Sequence, residues 1–140
     1  MERWIIYALL SMLFAGITSV IAKYGMKNVN GDTALTIRTS MVFLLVWVNA
    51  FALDNVKKIS LLTKKDILFL CLSGLTTTIS WVFYYRAMKD GKVSVVATID
   101  KASIVITLLL SFFILKEPFT WQVGVAGTFI TAGLLILIYR

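Results

Sequence analysis

The chain has 140 residues, 59% of them hydrophobic and 15% charged, with a mean hydropathy of +0.89 and a net charge of +7. A soluble domain of this length has too little polar surface to cover so much apolar side chain, which excludes a water-soluble globular protein. The basic residues are spread over short connectors between long apolar runs, so their partners are lipid headgroups, and nucleic acid is excluded as a partner.

Five runs, residues 4–22, 33–53, 67–85, 93–115 and 119–139, are each about the ~20 residues that a helix needs to cross a bilayer core. They are solid blocks of Leu, Ile, Val, Phe and Ala without the alternation of a membrane β-strand. The expectation is an all-α, polytopic membrane protein with five transmembrane helices, forming one domain over residues 1–140. The connectors, 23–32, 54–66, 86–92 and 116–118, are short enough to make consecutive helices antiparallel neighbours. Trp4, Tyr7, Trp81, Tyr84, Tyr85, Trp121 and Tyr139 mostly fall near run ends, as interfacial aromatics do.

The first run is too long for a signal-peptide core and lacks a small-x-small cleavage site before Lys23, so it reads as a retained helix, with Lys23 as an interfacial anchor. The second carries Arg38 about one and a half turns from its start, near enough to snorkel to the interface. Arg38 is either an anchor or a contact for a carboxylate or substrate. In the third, the lone Cys71 rules out an internal disulfide and reads as packing. Gly74, Thr77, Thr78, Trp81, Tyr84 and Tyr85 follow at helical spacing, as packing or as an aromatic wall for an apolar or cationic substrate.

The fourth run contains Asp100 and Lys101, and a charge at the bilayer centre costs roughly 2.5–3.5 kcal/mol on insertion scales. On one continuous helix, Asp100, Ser103, Thr107 and Ser111 share an arc, whereas Lys101 falls with Ser94, Ala97 and Thr98. Neighbours about 100° apart do not face each other well. The two charges therefore read as a substrate or coupling site, or as a lock that fixes the register of a dimer. Pro118 suits a helix boundary, and Glu117 beside it would cap a helix N-terminus or touch substrate. In the fifth run, Gly124, Thr128 and Ala132, with Gly127 and Thr131 one step round, permit close helix approach and are the expected dimer contact.

Five spans divide the basic residues almost evenly. One side holds Arg3, Lys57, Lys58, Lys64, Lys65 and Lys116; the other holds Lys23, Lys27, Arg38, Arg86, Lys89, Lys92 and Arg140. The positive-inside rule works through imbalance, so this distribution suits a chain that inserts both ways. Alternating-access transporters are often built from two inverted repeats around a midplane site, and an oppositely inserted copy would supply the second repeat.

The stretch from residue 73 to 137, with its SGL…SWVFYYRAMKDG and KEPFT segments, resembles the EamA domain of the drug/metabolite transporter superfamily. AKYGMKNVN…IRT near the front and IDKAS resemble single-domain members, and the likeness spans nearly the whole chain. Lys116 replaces the usual glycine of the KEPFT junction, and Thr98 stands where a proline is common, which removes the ground for a helix break there. The resemblance implies secondary transport of small metabolites or amphipathic compounds. The chain has no His, no phosphate-binding glycine loop and no nucleophile elbow, so it reads as no enzyme and needs no cofactor or metal. The expected protein is an antiparallel homodimer in the plasma (inner) membrane of a prokaryote, moving a small-molecule substrate by alternating access. The competing reading is a non-transporting subunit that assembles with a different membrane partner.

Overall fold

Apolar runs punctuated by capping residues give helices and nothing else among the described residues, 3–138 of the computed structural model. In chain order they are α1 (Arg3–Gly25), α2 (Gly31–Ala52), a 3₁₀ helix (Asn55–Leu61), α3 (Lys64–Asp90), α4 (Val93–Lys101), α5 (Ser103–Phe113) and α6 (Trp121–Ile138). They fall into two compact units, one ending at Asp90 and the other beginning at Gly91. Tyr139 and Arg140, assigned above to an interface and a flanking charge, lie outside the described residues.

In the first unit, local chemistry sets each helix start. The Asn30 side chain accepts a hydrogen bond from the Thr33 N–H at 2.7 Å and caps α2, with Asp32 in the first turn where the helix dipole favours a carboxylate. Just past the end of α2, Asp54 takes a left-handed φ of 55°, a conformation that Asp tolerates better than most residues. Thr63 and Asp66 then cap α3 reciprocally. The Thr63 N–H donates to the Asp66 carboxylate at 3.0 Å and the Asp66 N–H to the Thr63 hydroxyl at 3.2 Å. The core of this unit is small and sits at one end, where Met26, Leu35, Tyr85 and Met88 are buried. Elsewhere large apolar side chains such as Phe14 and Phe43 face outward, as bilayer-facing side chains do.

In the second unit the expected fourth helix is interrupted. α4 ends at Lys101, and Ala102 N–H→Ile99 C=O and Val105 N–H→Ala102 C=O, both 2.9 Å, tighten the chain into a turn before α5. The break comes at Ala102 without a proline. α5 closes through Lys116, another non-glycine with a φ of 55°, and the Glu117 N–H returns to the Ser111 carbonyl at 3.3 Å.

Among the described residues four stretches are long and apolar enough to cross a membrane: Arg3–Gly25, Gly31–Ala52, Lys64–Asp90 and Val93–Phe113. The fifth run is a shorter apolar helix, Trp121–Leu137, so among the described residues four of the five expected spans reach that length. Pro118 biases Glu117 away from helical geometry, and the Thr120 carbonyl accepts the Gly124 N–H at 3.1 Å, so α6 starts two residues later than the run does. The chain is an all-helical, polytopic, integral membrane protein.

Candidate functional site

Within the first unit, Arg38 projects from α2 toward the aromatic stripe of α3. Its guanidinium carbon lies 4.4 Å from the centre of the Trp81 ring and 5.8 Å from that of Tyr85. Among the described residues the ion pairs are Asp32–Arg86, Asp54–Lys57 and Asp100–Lys101, so the charge of Arg38 faces π-systems and no carboxylate. Tyr84 points elsewhere, its hydroxyl donating to the Ser19 hydroxyl of α1 at 3.0 Å, while Ser19 donates to the Ala15 carbonyl. Tyr85 is 3% exposed, and its buried hydroxyl has no hydrogen-bond partner among the described residues. Arg38 and Tyr85 together border a cavity of about 480 Å³, otherwise walled by Thr18, Ala22, Val29 and Ile37.

Two polar devices hold the same end of this unit. Arg86 of α3 grips Asp32 of α2 through two parallel bonds, Nε–Oδ1 at 2.9 Å and Nη2–Oδ2 at 3.1 Å, the fork geometry that a lysine cannot reproduce. Lys23 of α1 donates to the carbonyls of Met88 and Lys89, at 2.6 and 3.0 Å, and Lys89 donates back to those of Met26 and Lys27, at 2.8 and 3.4 Å. Each lysine thus supplies donors and positive charge at the carboxyl end of the other's helix. Lys23, expected as an interfacial anchor, is placed at the carboxyl end of α3 as a cap. Beside the Asp32–Arg86 pair runs a groove of about 850 Å³ between α2 and α3, with Phe43, Trp47, Phe51 and Thr78 in its walls.

The second unit brings Asp100 and Lys101 together. Lys101 Nζ lies 3.6 Å from Asp100 Oδ2, closer than the angle between neighbours on a continuous helix suggests. α4 ends here, and the lysine stem is long enough to reach around. Lys101 occupies the last turn of α4, where the helix dipole favours a cation. The Thr107 hydroxyl donates to the Ser103 carbonyl at 3.0 Å, within its own helix.

Glu117 lies upstream of α6, before Thr120, whose carbonyl accepts the Gly124 N–H. Gly124, Thr128 and Ala132 line a groove of about 690 Å³ with Leu108, Phe112 and Phe119. A Cβ on Gly124 would come within 2.8 Å of the Phe119 ring, so the small residue makes room for an aromatic of the same unit.

Sequence reasoning singled out Arg38, Trp81 and Tyr84 as site residues and placed Tyr85 in the same stripe. It missed the hydrogen bond of Tyr84 to Ser19, the Asp32–Arg86 fork and the crossed lysines. A partial signal existed: alternate connectors put Lys23, Asp32, Arg86 and Lys89 on one side of the membrane.

The profile of the EamA-like transporter family matches residues 2–139. An uncharacterized transporter in the cobO 3' region of a Sinorhizobium species is 38% identical over 136 residues, covering 97% of this chain and 96% of the relative. No solved structure matches. This coverage agrees with the resemblance of the IDKAS and KEPFT segments, and the chain belongs to the EamA-like transporter family.

Proposed function

We propose that this chain is a secondary-active transporter of small metabolites or amphipathic compounds, acting by alternating access as an antiparallel homodimer in the plasma membrane of a prokaryote. The observation that carries the reading is an arginine inside an apolar helix, held over Trp81 and beside a cavity, in a member of a transporter family. A relative that is named a transporter, from a bacterium, supports it further. In this reading residues 1–140 form one five-span domain, and a second, oppositely inserted copy completes the pathway.

Arg38, Trp81 and Tyr84 belong to the substrate path. Asp100 and Lys101 meet their counterparts near the two-fold axis, as a coupling site or a register lock, with Ser103 and Thr107 on the adjoining face. Gly124, Thr128 and Ala132 contribute to the dimer contact, and Glu117–Pro118 form the junction before the last helix. The test is orientation. Two reporters, one active only in the cytoplasm and one only outside, are fused in separate versions after Arg140. Signal from both is expected, and signal from only one would sink the dual-topology homodimer.

A further inference from the structure

We infer that the cavity beside Arg38 is a site for an amphipathic anion, with the acid group on Arg38 and the Tyr85 hydroxyl and the apolar body in the cavity. Arg38 presents a guanidinium with five N–H donors, and no oxygen among the described residues accepts from them. A cation at this site meets a like charge, and the Trp81 and Tyr85 faces that would attract it already have the guanidinium beside them. The aromatic wall therefore selects against the cationic substrates that the sequence alone allowed.

The second observation is independent of the first. The Tyr85 hydroxyl is buried, has no hydrogen-bond partner among the described residues, and belongs to a residue that lines the same cavity. A buried donor left unsatisfied costs free energy, and an acid oxygen arriving between it and the guanidinium relieves that cost. The remaining walls carry no charge: Ile21, Ala22, Gly25, Val29, Ala34 and Ile37 are apolar, and the Thr18 hydroxyl donates to the Phe14 carbonyl of its own helix. They fit a hydrocarbon or aryl body in about 480 Å³, within the ~300–1,000 Å³ usual for small-molecule sites.

This deepens the transport reading and rests on it for calling the ligand a substrate, whereas binding is tested separately. Full-length protein in phosphatidylcholine nanodiscs is titrated calorimetrically with 3-phenylpropionate and with 3-phenylpropylamine, which has the same aryl body on an amine. The acid is expected to bind and the amine not. Arg38→Gln is expected to weaken the acid by about 10–100-fold, and Tyr85→Phe by about tenfold, as loss of a charge-assisted hydrogen bond does. Arg38→Lys, which keeps the charge and loses the fork, is expected to fall between wild type and Arg38→Gln, and it decides the matter if the glutamine variant does not fold.

Equal affinity for acid and amine, or acid binding indifferent to both Arg38→Lys and Tyr85→Phe, overturns the site. Adding phosphatidylglycerol separates the sources of the anion: displacement of the acid in wild type identifies an anionic lipid as occupant, and unchanged binding identifies a soluble acid. Counterflow of labelled 3-phenylpropionate in proteoliposomes is run alongside. Binding without uptake removes the transport reading and leaves the site; uptake of other compounds without acid binding does the reverse.

Discussion

A Cβ built on Gly31 would stand 2.7 Å from the carbonyl oxygen of Tyr85 and 2.9 Å from its carbonyl carbon. α2 therefore enters directly against the backbone of α3, and this contact sets how far Arg38, two turns further along α2, lies from the rings of Trp81 and Tyr85. Backbone atoms cannot swing aside as a flexible side chain can. Gly31→Ala is expected to destabilise the folded protein by about 1–3 kcal/mol, the usual range for overpacking. Gly74→Ala, with open space around the added methyl, is expected to leave stability unchanged or slightly raised. Thermal melts followed by tryptophan fluorescence in one detergent compare the two, and equal melting temperatures would contradict the close approach.

Lys116 occupies the left-handed region at φ 55°, where an L side chain costs roughly 1–2 kcal/mol and glycine costs little. Lys116→Gly is expected to stabilise the protein by about 0.5–1 kcal/mol, because the added freedom of the unfolded chain offsets part of the relief. Lys116→Val, β-branched, is expected to destabilise it. The same melts decide both.

The crossed lysines make a prediction that hydrogen exchange can read. Lys23→Met removes donors from the carboxyl end of α3, and Lys89→Met removes them from that of α1. Each is expected to cost about 1 kcal/mol and to speed amide exchange in the last turn of the opposite helix. Faster exchange confined to the mutated helix itself would argue against reciprocal capping.

Asp100→Asn separates the two roles proposed for the ionic pair. Loss of transport with the dimer retained, judged by chemical cross-linking in membranes, assigns it to coupling. Loss of the dimer assigns it to register. The adjoining Thr107 hydroxyl is held by the Ser103 carbonyl, so Thr107→Val is expected to change transport less than Asp100→Asn does.

How much of this was legible in the sequence differs by element. The helices were plain from their apolar runs, and Arg38 (anchor or substrate contact) and Trp81 (packing or aromatic wall) were singled out separately. That they meet was not legible, because composition gives no rotation of α2 against α3; Gly31 and the Asn30 cap set that rotation. The break at Ala102 was missed for a related reason. With Thr98 in place of proline nothing local demands it, and the helical wheel drawn through residues 93–115 assumed a regular helix that the 3₁₀ bonds interrupt. The start of α6 went wrong by two residues because the apolar run begins at Phe119, before the Thr120 carbonyl takes up the first helical bond.

The contact between Asp100 and Lys101 has a consequence for biogenesis. A segment leaving the translocon partitions as a whole, and two separate charges would each oppose lateral release into lipid by roughly 2.5–3.5 kcal/mol. With Nζ 3.6 Å from the carboxylate, Val93–Phe113 enters as a local dipole of zero net charge. Neutralising one partner exposes the other, so a single substitution is expected to impair insertion more than replacing both. Glycosylation mapping of this segment in a host membrane protein would rank the three variants. The neighbouring charges thereby offset one another within a single segment.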